Sequence, residues 1–190
     1  MVDKNQERLL ELASEALLEG NHTLSSGKKS PYYFDGRKVT LSSEGVALVG
    51  EMFWKSIAKF QLDAIGGPIF GAVPIVLATV LTARFNGAQL DGFAVRQEKK
   101  EHGTQKRIEG AIPRESRVAI VDDTATTGDS LLETIEVAEN AGYRILCVIV
   151  LLDWGCGASQ KIRDRGYNLQ SFLEGNLEIG EISIAPNRSH

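Results

Sequence analysis

Apolar positions along the chain alternate between helical spacing and short continuous runs. Apolar residues three and four apart predict helices at 4–18, 43–59, 73–85, 130–140 and 158–165, with Ser43 as the N-cap of the second. Apolar and β-branched runs predict strands at 62–65, 92–96, 118–121, 145–152 and 169–173. Strands that alternate with helices are typical of a parallel sheet covered by helices. We therefore expect an α/β fold with a central, mostly parallel sheet, and a loosely held tail from Gly180.

Length, charge and cysteine content restrict the class of protein. At 190 residues the chain can bury one sizeable core, so we expect a single domain over residues 1–190. A net charge of -4 argues against general nucleic-acid binding. We expect no targeting segment and no membrane-spanning segment. Cys147 and Cys156 cannot build a disulfide framework and suit a reducing compartment, which favours the cytoplasm.

The most informative segment follows the β-branched run at 118–121. Asp122 and Asp123 come next, and a glycine- and hydroxyl-containing loop then leads into a predicted helix. The carboxyl ends of parallel strands are where α/β folds bind ligands. Backbone N–H groups of such a loop can converge on a phosphate, helped by the helix dipole and by threonine hydroxyls. We predict that the loop binds a ribose 5-phosphate; its residues are Thr124, Ala125, Thr126, Thr127, Gly128, Asp129 and Ser130.

The acidic pair suits another part of the same ligand. Asp122 and Asp123 can bind the ribose 2- and 3-hydroxyls, directly or through a Mg²⁺ ion that also holds a diphosphate. The loop lacks the Gly-Lys-Ser/Thr ending of a Walker A sequence and the glycine pattern of dinucleotide folds. The alternative is an ordinary strand-to-helix turn in which an aspartate caps the helix.

Residues 118–130 resemble the 5-phosphoribosyl-1-diphosphate (PRPP) motif of type I phosphoribosyltransferases. Among these enzymes, the chain resembles the orotate phosphoribosyltransferase family from about Thr23 to Gly166. Residues 23–35 resemble the base-binding segment of that family, and residues 66–74 resemble its loop beside the diphosphate. Residues 96–103 resemble its mobile catalytic loop. The resemblance implies the type I phosphoribosyltransferase fold, with a small hood built from residues 20–40 and the C-terminal part. It also implies Mg²⁺ as cofactor and a homodimer whose subunits share the mobile loop.

Positive charge is concentrated around the segment that resembles the mobile loop. Arg96, Lys99, Lys100, His102, Lys106 and Arg107 flank Gly103, which permits hinge motion. The resemblance implies that Lys100 and His102 stabilise the leaving diphosphate, that Arg96 binds it, and that Asp123 belongs to the catalytic residues. Gln97 departs from the lysine common in the family. The alternative for these charges is a solvated loop.

Aromatic residues are the candidates for binding a flat pyrimidine. Tyr33 and Phe34 follow one another on a predicted strand, so only one of the two rings can enter a pocket. The resemblance to the family adds Thr126 as a third candidate for contact with the base. Trp154 stands where the family has an arginine that meets the carboxylate of orotate.

Three interpretations of Trp154 follow from this departure. The base lacks a carboxylate and stacks on the indole, or another cation replaces the arginine, the candidates being Lys28, Lys29 and Arg37. In the third interpretation Trp154 packs at the dimer interface.

The resemblance implies transfer of the phosphoribosyl group of PRPP to orotate, which gives orotidine 5'-monophosphate and diphosphate in pyrimidine biosynthesis. One alternative is a phosphoribosyltransferase that acts on another base. The other is a PRPP-binding regulatory protein without turnover. Such regulators generally add a DNA-binding domain, and the sequence contains no basic recognition helix.

Overall fold

The structure, a computed structural model, describes residues 3–23, 27, 29–97 and 107–185. Its helices are α1 Lys4–Glu15, α2 Gly36–Thr40, α3 Ser43–Ile57, α4 Ala72–Phe85, α5 Asp129–Asn140 and α6 Ala158–Asp164, with a 3-10 turn at Ala58–Phe60. Its strands are β1 Leu17–Thr23, β2 Lys29–Phe34, β3 Ala64–Pro68, β4 Asp91–Val95, β5 Ile108–Glu109, β6 Arg117–Ala125, β7 Arg144–Asp153, β8 Leu169–Asn176 and β9 Glu181–Ile184. Within these ranges no helix has both the length and the apolar character needed to cross a membrane.

Seven strands form the main sheet, in the order β5-β4-β3-β6-β7-β8-β9. The five inner strands run parallel, whereas β5 and β9 pair antiparallel at the two edges. The prediction of an α/β fold with a mostly parallel central sheet is therefore confirmed. Strand β6 lies in the middle, so its carboxyl end lies at the centre of one edge of the sheet.

Helices cover both faces of the sheet. Strand β6 contributes Ala119 and Val121 to a hydrophobic cluster that includes residues of α1, α3 and α4. Its other residues, Val118 and Ile120, belong to a second cluster built with α5 and α6. Alternate residues of a strand point to opposite faces, so a strand covered on both faces must be apolar at successive positions. This is the physical reason for the continuous apolar run before the acidic pair.

The N-terminal hairpin forms a separate two-stranded sheet. Leu17 pairs with Phe34 and Leu18 with Tyr33. The turn between β8 and β9 lies against this hairpin, since a Cβ on Gly180 would be 2.4 Å from the Tyr32 ring. N-terminal and C-terminal parts thus meet where the hood was expected. The role of this unit as a hood over a site stays a prediction.

Two details at the N-terminal side differ from the sequence prediction. Helix α1 ends at Glu15, and Leu17 begins β1 instead of continuing the helix, because strand pairing with β2 outweighs local helical spacing. The N-cap of α3 is Ser42, whose Oγ accepts a hydrogen bond from the Gly45 N–H at 3.0 Å, and not Ser43.

Two strands are longer or more ordered than predicted. Strand β6 continues past the acidic pair, because Thr124 and Ala125 pair in register with Leu152 and Asp153. The expectation of a loosely held tail from Gly180 is wrong as far as Ile184, since β9 pairs with β8.

Candidate active site

The acidic pair lies at the carboxyl end of the middle strand. Asp122 is only 7% exposed, and Asp123 is partly buried. The Asp123 backbone N–H donates to Asp122 Oδ1 at 2.9 Å. Burial raises the pKa of both carboxyls, and the neighbouring Asp123 charge raises the pKa of Asp122 further. Buried carboxyls have lost much of their hydration, so they are suited to bind ligand hydroxyls or a cation in place of water.

Glycines bring the backbone of two loops against the acidic pair. A Cβ on Gly36, at the start of α2, would be 2.6 Å from Asp123 Oδ2. A Cβ on Gly71, just before α4, would be 2.7 Å from an oxygen of each carboxylate. Within β3, a Cβ on Gly67 would be 1.9 Å from the Val121 carbonyl oxygen, so the backbones of β3 and β6 are in close contact there. Side chains at Gly36 and Gly71 would occupy the space beside the carboxylates, so glycine keeps that space available to a ligand.

The loop that was predicted to bind phosphate connects β6 to α5. Gly128 has a left-handed φ of 81°, and α5 begins at Asp129. Its backbone rests on α6, because a Cβ on Gly128 would be 3.0 Å from the Ala158 Cα. Thr124, Thr126, Thr127 and Ser130 are all partly exposed beside this turn. The geometry of a hydroxyl-bearing turn that enters a helix agrees with an anion site.

One residue of this loop already has two partners. Asp129 Oδ2 accepts from the Thr127 hydroxyl at 2.8 Å, and Oδ1 accepts a short hydrogen bond from Lys161 Nζ on α6. Lys161 above all, and then Thr127, lower the pKa of Asp129. The loop therefore carries an ionised carboxylate next to the proposed phosphate position.

The predicted leaving-group residues fall partly outside the described ranges. Lys100 and His102 both lie there, as do Lys99 and Lys106. Arg96 follows β4, and its Nε donates to Glu109 Oε1 at 2.7 Å. Gln97 is exposed. The roles assigned to Arg96, Lys100 and His102 stay predictions.

The two candidate aromatic residues of β2 separate as the strand geometry requires. Phe34 is buried in the core, with its ring 6.2 Å from that of Trp154. Tyr33 is partly exposed; its ring lies 5.6 Å from that of His22, and its hydroxyl accepts from Arg37 Nη2 at 3.4 Å. Of the two, Tyr33 has the ring surface that a base could contact.

Trp154 is a core residue of this chain. Its side chain is 4% exposed and packs edge to face with Phe34. A Cβ on Gly175 would be 2.5 Å from the indole, so β8 lies directly against it. In this position the indole has neither a free face for a base nor surface for a partner subunit. The placement does not support Trp154 as a base-stacking residue, which the sequence had suggested.

The three cations that could replace the family's arginine at position 154 differ in their surroundings. Lys28 lies outside the described ranges, and Lys29 Nζ donates to the Thr23 hydroxyl at 2.9 Å. Arg37 directly follows Gly36, and its Nε donates to Asp35 Oδ1 at 2.9 Å. Asp35 first, and also the charge of Asp123, raise the pKa of Arg37. Arg37 is thus the described candidate that interacts with the acidic pair.

Sequence reasoning missed a supporting segment after β7. Asp153 is buried and accepts from the Gly155 N–H at 3.0 Å and from the Ser159 hydroxyl at 2.8 Å. The Trp154 N–H donates to the Ala125 carbonyl at 2.9 Å. Asp153 could have been found, because a carboxylate that ends the strand next to β6 must lie at the same edge of the sheet. Nothing in the sequence around Lys161 indicated that this residue would lie beside the loop.

Mg²⁺ fits the donor set only as a shared ion. Among the described residues no group of three His, Cys, Asp or Glu side chains could hold a metal alone. Asp122 and Asp123 provide two adjacent carboxylates, and Mg²⁺ usually takes one or two carboxylates together with substrate phosphates and water. The pair is thus compatible with an ion completed by a diphosphate.

Comparisons with known proteins agree with this description. No protein-family model matches the chain. An orotate phosphoribosyltransferase of Streptomyces coelicolor is 37% identical over 180 residues, which cover 95% of this chain and 99% of that protein. One from Tropheryma whipplei is 39% identical over 169 residues, covering 88% of this chain and 79% of that protein. The crystal structure of orotate phosphoribosyltransferase from Mycobacterium tuberculosis in complex with PRPP has a TM-score of 0.74 and 30% identity, over 90% of this chain and 96% of that one.

These similarities assign the fold of the chain to the class of type I phosphoribosyltransferases. Within that class, the chain belongs to the orotate phosphoribosyltransferase family.

Proposed function

We infer that this chain transfers the phosphoribosyl group of PRPP to orotate, giving orotidine 5'-monophosphate and diphosphate, a step of pyrimidine biosynthesis. Family membership supports the reaction. The structural observation that carries it is the acidic pair at the end of β6, followed directly by a hydroxyl-bearing turn into α5. One strand end thereby offers carboxylates for a ribose and amides for its 5-phosphate.

The charges of the loop and of the acidic pair determine which part of PRPP each is proposed to bind. The loop residues 124–130 hold the 5-phosphate through backbone N–H groups and hydroxyls, because α5 begins there. Asp122 and Asp123 accept hydrogen bonds from the ribose hydroxyls. Ribose C1 becomes positively charged as diphosphate departs, so fixed carboxylates and precise positioning stabilise the transition state without a covalent nucleophile.

We propose Mg²⁺ as the cofactor, held by Asp122 and Asp123 through ribose, diphosphate or water. When bound, it would supply positive charge to the diphosphate leaving group. Burial raises the pKa of both carboxyls in the ligand-free chain, and a bound cation would oppose this shift by stabilising their charged form.

Leaving-group stabilisation is proposed for Lys100 and His102, with Arg96 as a diphosphate ligand. Arg96 stands at the end of β4, on the carboxyl edge of the sheet, and its pairing with Glu109 fixes the start of the segment that follows. Closure of that segment over the ligand would exclude water and so limit hydrolysis of PRPP.

Base recognition is proposed for Tyr33 and Thr126. Tyr33 presents ring surface, and Thr126 lies on the loop after β6. Arg37 is the favoured cation for the carboxylate of orotate, because it contacts the Tyr33 hydroxyl and interacts with Asp123. Its guanidinium can bind a carboxylate through two parallel hydrogen bonds.

We also propose a homodimer. Leu77, Leu81 and Phe85 stand four residues apart on α4, and each is more than half exposed. Phe70, in the loop before α4, is also more than half exposed. Apolar stripes of this kind mark association surfaces, and a two-fold axis would bring the same stripe of a second copy onto it. Such a dimer would allow residues 96–103 of one subunit to act in the site of the other, as the family resemblance implies.

The remaining proposals concern organisation and location. A single domain with a hood is supported by the contact between Tyr32 and Gly180. A cytoplasmic location is supported by Cys147, a free thiol that is buried in the core.

The proposed reaction is tested with PRPP, orotate and Mg²⁺, following the loss of orotate absorbance together with diphosphate release. Asp123→Asn should lower kcat about 100-fold or more, because fixed negative charge beside the ribose is lost. Asp63→Asn is the matched control: Asp63 pairs with Arg117 at the opposite end of β6. Diphosphate release with another base but not with orotate would favour the alternative enzyme, and PRPP binding without any turnover would favour the regulatory protein.

A further inference from the structure

Asp129 creates an electrostatic conflict within the phosphate loop. It occupies the first position of α5, is 71% exposed, and is ionised because Lys161 and Thr127 lower its pKa. A carboxylate at a helix start interacts favourably with the helix dipole, but it also competes with any anion for the same N–H groups. Binding of a doubly charged phosphate here therefore requires that the Asp129 charge be neutralised or turned away.

Lys161 meets this requirement. Its Nζ holds Asp129 Oδ1, while the Thr127 hydroxyl holds Oδ2. A hydroxyl has a single proton, so when Thr127 turns to a bound phosphate it must release Asp129. Of the two side-chain contacts described for Asp129, the one with Lys161 then remains.

The position of Lys161 is fixed by the segment after β7. Ala158, one helical turn before Lys161, packs against Gly128. Ser159 is anchored on Asp153, and the Trp154 N–H is bonded to Ala125. Helix α6 is therefore attached to the loop by several contacts, and Lys161 reaches Asp129 from a packed helix.

We propose that Lys161 is a positioning residue for the 5-phosphate site: it neutralises Asp129 and draws its carboxylate towards α6, leaving the amides of the loop free for phosphate. This role rests on the proposed function. It concerns substrate binding and not bond breaking, so it predicts an effect on the KM for PRPP and little effect on kcat.

The test compares Lys161→Met, Lys161→Arg, Asp129→Asn and the double variant Asp129→Asn/Lys161→Met. Lys161→Met should raise the KM for PRPP, and the dissociation constant of ribose 5-phosphate measured by calorimetry, by about five- to tenfold at low salt. Lys161→Arg should retain near wild-type values. The double variant should regain most of the lost affinity, because without the carboxylate there is nothing to neutralise.

Arg165→Met is the matched control. Arg165 pairs with Glu139, so it also joins α6 to α5, but at the other end of both helices. This variant should lower thermal stability slightly and leave the KM for PRPP unchanged. An equal effect of Lys161→Met and Arg165→Met on KM would reduce Lys161 to a structural contact. Failure of Asp129→Asn to rescue Lys161→Met would mean that Lys161 binds the phosphate itself, which also overturns the proposal.

Calorimetry with ribose 5-phosphate needs no turnover, so it tests the role of Lys161 separately from the proposed reaction. A wild-type chain that binds ribose 5-phosphate in a Lys161-dependent way but does not turn over orotate contradicts the proposed reaction and supports the role of Lys161. A wild-type chain without affinity for ribose 5-phosphate contradicts both.

Discussion

Gly36 lies so close to Asp123 that a Cβ on residue 36 would be 2.6 Å from the carboxylate oxygen Oδ2. The start of α2 is therefore in direct contact with the acidic pair. Since Gly36 is followed by Arg37, a short helix far from the loop in sequence brings both a close backbone approach and a cation to the same carboxylate.

This contact predicts that Gly36→Ala impairs ribose binding. The added methyl group must displace the Asp123 carboxylate, which has little room because it is packed against Gly71 as well. We expect kcat/KM for PRPP to fall about tenfold or more, since small displacements of reacting groups have large kinetic effects. Gly92→Ala is the control, because its Cβ would meet only the ends of two valine side chains on α4. Equal activity of both variants would show that the space beside Asp123 is not used by substrate.

The buried carboxyl of Asp122 predicts a trade-off between stability and activity. Its pKa is raised by burial and by Asp123, because both disfavour the charged form in the folded chain. The associated stability is present at low pH and is lost as pH rises through the pKa of the folded state. Asp122→Asn, which keeps the Oδ1 acceptor for the Asp123 N–H, should thus stabilise the fold at neutral pH by about 1–2 kcal/mol while it abolishes turnover. Thermal denaturation at several pH values is the measurement; a lower Tm than wild type at neutral pH would contradict the idea.

The buried position of Trp154 predicts that the family's arginine cannot simply be restored. Trp154→Arg would place a charge between Phe34 and Gly175, so we expect a loss of about 3 kcal/mol or more in the free energy of unfolding, or failure to fold. Trp154→Phe should cost less and leave the KM for orotate unchanged. A folded Trp154→Arg variant with improved orotate affinity would instead mean that this side chain reaches the base.

Arg37 should determine the preference for a base that carries a carboxylate. Arg37→Met is expected to raise the KM for orotate about tenfold or more and to leave that for PRPP nearly unchanged. The matched control is Lys38→Met, the neighbouring exposed cation on α2. An increase in the KM for PRPP alone would assign Arg37 to the diphosphate, and orotate would then need another cation, such as Lys28 or Lys29.

The exposed stripe on α4 should control association. Leu81→Glu places a charge in the middle of the stripe and should convert a dimer into a monomer, as measured by light scattering. Activity should fall with it, because residues 96–103 are proposed to act in the partner's site. Leu146→Glu, an exposed leucine on β7, serves as control. An active Leu81→Glu monomer would refute the shared site.

The alternation of helices and strands could be predicted from sequence because it is a local property of apolar spacing. The run Val118–Val121 is apolar at every position because both faces of β6 are covered, and this identifies a central strand. The ends of elements were less predictable. Leu17 has helical spacing with Ala13, but its pairing with Phe34 is a contact between distant residues. Likewise, β9 is only four residues long, and its alternation of Ile182 and Ile184 with polar residues becomes a strand through pairing with β8.

The acidic pair and the loop were found because they are contiguous in sequence. The contributions of Gly36, Asp153 and Lys161 depend on how separate elements meet, and no single segment encodes them. Trp154 illustrates the limit of resemblance, because its position in the family pattern suggested a ligand contact, whereas burial against Phe34 and Gly175 makes it part of the core.

The central position of β6 links the site to the slowest motions of the chain. Three strands flank β6 on each side, so its amides exchange with deuterium only when the sheet opens as a whole. Ligand bound at the end of this strand must be released before that opening. Hydrogen exchange at Ala119 and Ile120 should therefore slow by a factor that rises linearly with the ratio of free ligand concentration to Kd, so residues that never touch the substrate report its affinity.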